Sequence, residues 1–524
     1  MSAEVSSAGR APGRSQAGPH PLGGSTDVPV GRGAVIHPGQ LVMVDIEGTS
    51  LDAKQAAFLR DHHIRAVCLF RSNLGSEAEV RRLTADLRDA MGEHALIGLD
   101  QEGGSVVRAT FLPQAPAAMA LGAAGDAALS EQVGEAVARG VRSLGFNWDF
   151  APVLDINNNP ANPVIAERSF SEDPNEVTRL AGAWMRGALR AGVACCVKHF
   201  PGHGDTHVDS HHDLPVVDKS QAELEALEFM PFAALKGEAP AMMTAHIVYP
   251  QLDPDHPATL SRKVLGELLR DEWKYDGVVI TDSLVMKAIH ARYGHHRAAV
   301  LTLQAGADMA MALGSQADQA AAIEAIAAAQ ASGDLTEQRL LQARERLDAL
   351  ARRFPVAPGA YAQAQRDTDD RLMHTAWARG LTALGAAKAP RRDEPLLVYT
   401  QRNVPTDGVS EAGPSGADVA TLFAGFADAE IVELDDLCQL DWSQVPQDGR
   451  MTVLASNHRN RYPAASCTWK PDLHLVLWNP FQALDIAAPS VVTWGYAEGA
   501  LAALRAWLEG RATAPGRSPV TLTR

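Results

Sequence analysis

Val193-Ala194-Cys195-Cys196-Val197-Lys198-His199-Phe200-Pro201-Gly202-His203-Gly204 decides how the chain is read, because a short apolar run ends abruptly in a loop dense with ionisable groups. Five apolar residues in a row have the length of a buried strand, and Pro201, Gly202 and Gly204 argue against a helix directly after it. Working outward, the same pattern recurs from Gly39 onward, with strand-length apolar runs separated by longer stretches at helical spacing. The runs lie at 41–46, 66–70, 95–99, 147–154, 193–197, 241–245, 277–280 and 308–312. Eight βα units predict a parallel (β/α)8 barrel of the TIM type, although periodicity alone also fits an open parallel sheet. The useful polar residues fall just after these runs, at Asp100 to Gly104, Asp155, Lys198 to His212, His246 and Asp282. In a parallel barrel all of them share the C-terminal rim, where distant positions converge.

An Ala-rich helical stretch at 316–353 leads out of the barrel, and Pro355, Pro358 and Gly359 break it. The predicted organisation is α/β throughout: a disordered N-terminal tail at 1–34, a catalytic barrel at 35–355, a connector at 356–390 and a smaller α/β domain at 391–524. In the last segment, strand-length runs at 395–399, 419–426, 451–454, 473–477 and 491–493 precede a helix at 497–508.

Composition sets the outer limits. The 524 residues are 46% hydrophobic and 21% charged, as in ordinary globular proteins, and no apolar run reaches the length of a membrane span. A formal charge of -16 repels polyanions, which argues against nucleic acid or an anionic membrane as partner. The first 33 residues are rich in Gly, Ser, Pro and Ala without the apolar core of a signal peptide, so a soluble cytoplasmic protein is expected. Cys68, Cys195, Cys196, Cys438 and Cys467 form no CxxC pair and read as free thiols.

The segment Lys198 to His212 holds five histidines and two aspartates. The spacing of His199, His203, His207 and His211 would suit a helical metal site, and a metal-dependent hydrolase follows from that reading, but Pro201, Gly202 and Gly204 favour an extended loop. Asp209 and His211 stand two apart, so the carboxylate can hold one ring nitrogen while the other faces a substrate and moves a proton. Asp282 follows the run 277–280 as either a helix N-cap or a nucleophile.

The whole loop resembles the KHFPGHG-x4-DSH signature of the bacterial, NagZ-type β-N-acetylglucosaminidases of glycoside hydrolase family 3. That resemblance implies that Asp209 and His211 are the acid/base dyad and that Lys198 and His199 bind the sugar. Gly277 to Met286 resembles the family's nucleophile element, which assigns that role to Asp282. Asp100-Gln101-Glu102-Gly103-Gly104 resembles its DQEGG element, so Asp100 and Arg108 are expected on sugar hydroxyls. Ser105 departs from the arginine common after those glycines. Arg168, in Glu167-Arg168-Ser169-Phe170, is expected in the same subsite, with a structural ion pair as the plainer alternative. Asp45-Ile46-Glu47-Gly48 and Thr244-Ala245-His246-Ile247 also match, so the resemblance spans about 39–314.

The resemblance implies a retaining exo-acting enzyme that removes terminal N-acetylglucosamine from an oligosaccharide or glycoconjugate, in the setting of cytoplasmic cell-wall (peptidoglycan) recycling. It implies no cofactor and no metal. Phosphorolysis, a different sugar preference and a catalytically silent sugar-binding protein remain as alternatives.

Overall fold

The computed structural model describes residues 36–209 and 213–522. The expected tail at 1–34 lies outside the described residues.

Eight short parallel strands form the first sheet: β1 (Val42–Val44), β2 (Ala66–Cys68), β3 (Leu96–Leu99), β4 (Trp148–Asp149), β5 (Ala194–Phe200), β6 (Ala241–Thr244), β7 (Val278–Thr281) and β8 (Ala310–Met311). Their order is β8-β1-β2-β3-β4-β5-β6-β7, and a parallel bridge from Ile280 to Met309 brings the two ends together into a nearly closed (β/α)8 barrel. The strands are buried along their whole lengths. Such strands are covered on the outside by helices and filled on the inside by side chains, which is why they read as continuous apolar runs. Gly98 on β3 shows how tight the filling is: a Cβ there would lie 2.6 Å from the Phe150 ring.

At the N-terminal end of the barrel, Asp308 gathers three arginines. Its carboxylate accepts from Arg270 at 2.5 Å, Arg339 at 2.7 Å and Arg346 at 3.3 Å, and also from the Val279 N–H at 2.9 Å. Asn147 stitches the same end, accepting from the Ile97 N–H at 2.8 Å and donating to the Phe354 carbonyl at 2.7 Å.

The helical stretch at 316–353 is two helices, α3 (Gln316–Ser332) and α4 (Glu337–Arg353), following α1 (Ala127–Ser143) and α2 (Pro174–Arg190) in the chain. The break comes at Gly333, which caps α3 in a left-handed conformation, and Thr336 then caps α4. Within 356–390, offered as a connector, α5 (Gln363–Gly380) packs on α1 and on the last helix, α6 (Glu498–Leu508), while β9 (Thr382–Leu384) joins the second sheet.

That second sheet also contains β10 (Leu396–Gln401), β11 (Ala429–Leu434), β12 (Met451–Ser456), β13 (Leu473–Val476) and β14 (Ser490–Val492). Its order is β9-β14-β13-β12-β10-β11, parallel except for β9. The run at 419–426 is not a strand. Ser415 caps a short helix at Gly416–Ala420, the turn at Thr421–Phe423 follows, and the strand is β11. Being an edge strand that carries Glu430 and Glu433 and is nowhere fully buried, β11 has no continuous apolar run to betray it.

Candidate active site

Four of the expected site residues sit at the C-terminal ends of the barrel strands. Asp100 follows β3, Lys198 and His199 end β5, and Asp282 follows β7. Together with Arg108 and Arg168 they line one cavity of ≈ 350 Å³. Asp282 is no helix cap, since the next helix starts at Lys287 behind Met286; its Oδ1 accepts from the Ser283 N–H at 2.7 Å.

The floor of the cavity is an ionic network. Lys198 Nζ donates to Asp100 Oδ1 at 2.7 Å and lies 2.6 Å from Glu102 Oε1. Arg168 grips Glu102 with two bonds, of 2.9 and 2.8 Å. Arg108 stands 3.6 Å from Asp100 and 2.9 Å from Glu411. Burial alone would push the Glu102 carboxyl up, but Arg168 and Lys198 outweigh it and hold the group far below the usual carboxylate range. Burial likewise disfavours the Lys198 ammonium, and Asp100 and Glu102 more than restore it. These groups therefore stay charged, and their pairing keeps burial affordable.

Asp155 orients the start of the histidine-rich loop. It is fully buried and accepts from the N–H groups of His199 at 3.1 Å and His203 at 2.7 Å, while its Oδ2 lies 2.6 Å from His199 Nδ1. With Nδ1 so engaged, Nε2 is the nitrogen that His199 can offer a ligand. Burial, reinforced by neighbouring His199, pushes His203 down to about 4. Gly204 allows the loop to approach the preceding segment: a Cβ would fall 1.6 Å from the Ile156 carbonyl oxygen. Asn162 then donates to the carbonyls of His203 at 2.8 Å and Gly204 at 3.0 Å.

Asp209, half-buried, accepts at its carbonyl from the Asp213 N–H at 3.1 Å and is not among the residues lining the cavity. His211 lies outside the described residues.

Several parts of the site carry no signal of their own in the sequence. Glu102 lies within the DQEGG element, yet only the structure makes it the common partner of Lys198 and Arg168. Gly408 and Val409, from the second domain, form part of the cavity wall without any motif to mark them. Ser105, the departure from the family pattern, donates to Glu167 at 2.7 Å, and Trp478 of the second domain donates to the same oxygen at 2.8 Å. The small side chain thus belongs to the seam between the domains.

A parallel barrel whose rim encloses charged donors and acceptors around a strand-end carboxylate fits a glycoside hydrolase. Residues 37–350 match the family model described as the glycosyl hydrolase family 3 N terminal domain, and the chain belongs to that family. It is 38% identical over 288 residues to a Beta-hexosaminidase of Pseudomonas aeruginosa (strain LESB58), covering 54% of this chain and 86% of that one. A family 3 beta-N-acetylglucosaminidase from Paenibacillus sp. str. FPU-7 superposes with a TM-score of 0.82 at 31% identity, over 94% of this chain and 99% of the other. A fungal multi-domain family 3 beta-N-acetylglucosaminidase gives a TM-score of 0.84 at 27% identity, over 93% of this chain and 60% of the other.

Among the described residues no helix is long and apolar enough to cross a membrane.

Proposed function

We propose that the chain is a retaining exo-β-N-acetylglucosaminidase that hydrolyses terminal, non-reducing β-linked N-acetylglucosamine. The observation that carries this reading is the meeting of Asp100, Arg108, Arg168, Lys198, His199 and Asp282, from four barrel units, around one small cavity. Dense charged donors and acceptors suit a polyol, and a cavity of ≈ 350 Å³ suits a single sugar ring better than a bound chain. The names of the relatives narrow the sugar to a hexosamine.

In this mechanism the Asp282 carboxylate attacks C1 and forms a glycosyl ester. The bond from C1 to the leaving oxygen breaks, its electron pair stays on that oxygen, and His211, oriented by Asp209, supplies the proton. Water then attacks C1, His211 takes its proton, and Asp282 leaves as the carboxylate. The carboxylates of Asp45, Asp100, Glu102 and Asp282 face the cations of Arg108, Arg168 and Lys198 around the cavity. That excess of negative charge favours water over phosphate as acceptor. Cytoplasmic recycling of cell-wall fragments is the setting that the family resemblance implies; unchanged levels of N-acetylglucosaminyl fragments in cells lacking the protein would remove it.

The test is release of the aryl alcohol from aryl β-N-acetylglucosaminide and aryl β-glucoside, with and without phosphate, by wild type and Asp282→Ala. Activity on the first alone, lost by at least about 10³-fold in the variant, supports the reading. Sugar 1-phosphate as product would make the protein a phosphorylase, and activity retained in Asp282→Ala would remove the nucleophile.

A further inference from the structure

We propose that Glu411, on the loop with which the second domain walls the cavity, is a positioning residue of the sugar site: it holds the Arg108 guanidinium where a sugar hydroxyl is received. The inference rests on the glycosidase reading above and gives the second domain a part in it.

Arg108 is nine-tenths buried, with a side-chain exposure of 9%, and it lines the cavity. Its close anionic partner is Glu411 at 2.9 Å, against 3.6 Å for Asp100. Glu411 therefore anchors one edge of a guanidinium whose side chain lines the cavity.

Glu411 can do this because its own backbone is fixed twice. Its N–H donates to the Ser105 carbonyl at 2.8 Å, and its carbonyl accepts from the Tyr496 hydroxyl at 2.9 Å. Upstream, Asp407 accepts from the N–H groups of Val409 at 2.9 Å and Ser410 at 2.7 Å, and Arg459 clamps Asp407 at 3.0 Å while donating to the Val164 carbonyl at 2.6 Å. The loop is thus tied to the second domain and to the barrel rim on both sides of Gly408 and Val409. A cation held this rigidly loses little freedom on binding, so its interaction appears as affinity.

The simpler reading is an ion pair that merely joins two domains, and the two readings separate in the full-length protein. Glu411→Gln and Glu411→Ala are expected to raise KM for aryl β-N-acetylglucosaminide, and the calorimetric Kd for N-acetylglucosamine, about tenfold, with kcat changed less than about threefold. Glu411→Asp is expected to restore most of the affinity. A crystal structure of Glu411→Gln should show Arg108 displaced from its place in the wall. Unchanged KM and Kd with Arg108 in place, or a lowered Tm with affinity intact, overturns the proposal. Failure of the wild type to cleave any aryl N-acetylglucosaminide sinks the glycosidase reading instead, and the position of Arg108 in the Glu411→Gln structure then decides this proposal by itself.

Discussion

The two ends of the barrel bury charge in opposite ways. At the N-terminal end, one carboxylate, Asp308, serves three arginines, and two of them spend further donors on the backbone, Arg270 on the carbonyls of Tyr275 and Gly277 and Arg339 on those of Leu303, Gly306 and Ala307, while Arg346 also donates to Asp276 at 2.9 Å. At the C-terminal end, Lys198, Arg168 and Arg108 pair with Asp100, Glu102 and Glu411 around an open cavity. Burial pushes both Asp308 and Glu102 up, and cations hold both below the usual range. The difference lies in where the remaining donors point. At the lower end Arg270 and Arg339 close onto the backbone, and at the upper end Lys198, Arg168 and Arg108 line the cavity proposed to receive the sugar.

If that contrast is right, removing charge should cost stability below and activity above. Asp308→Ala leaves Arg270 and Arg339, both largely buried, without their anion, while Arg346 keeps Asp276, and it is expected to destabilise by about 3–5 kcal/mol, with kcat and KM unchanged at temperatures where the variant stays folded. Chemical denaturation and steady-state kinetics on one preparation check this; a catalytic defect in the folded variant would break the contrast. Lys198→Met is expected to lower kcat/KM at least about 10²-fold, about 3 kcal/mol. Its Tm should fall less than that of Asp308→Ala, because Glu102 keeps Arg168 and Asp100 keeps Arg108 as counter-charges.

Acid acts on the upper end through two buried groups that oppose each other, His203 and Asp149. His203 is held at about 4 by burial, below its ordinary 6.5, so the unfolded chain takes up its proton first. The stability it contributes is full above pH 6.5 and is lost as pH falls toward 4, up to about 3 kcal/mol. Asp308, already depressed, gives way only below its ordinary 3.8. Asp149, whose carboxyl burial pushes up to about 7, acts in the opposite sense between 3.8 and 7. The informative quantity is therefore the difference in unfolding free energy between wild type and His203→Gln across pH 4–7. A pH-independent difference would break this part of the account. As the smallest effect, Arg186→Ala, which removes the exposed pair with Glu238 at 3.2 Å, should change stability by less than about 0.5 kcal/mol.

The contrast between the ends was only half legible in the sequence. Strand-end residues could be read because a parallel barrel places whatever follows each apolar run on one rim, and Asp100, Lys198, His199 and Asp282 all follow such runs. Partnerships could not. Glu102 pairs with Lys198 and Arg168 from 96 and 66 positions away in the chain, and local spacing carries no trace of such a contact. Glu411 lies still further off, in a loop of ordinary composition. In the second domain β11 was missed because an exposed edge strand with glutamates lacks an apolar run, and α3 and α4 merged into one because alanine favours helix on both sides of Gly333.

The most direct test of the proposed chemistry is to look for the ester. Incubation with an activated 2-substituted fluoroglycoside, a probe whose second step is slow, should add one sugar mass to the intact protein. Peptide mapping should then place that mass on Asp282, with no adduct in Asp282→Ala. An adduct on another carboxylate, or turnover of β-N-acetylglucosaminides with inversion at C1, would contradict the account.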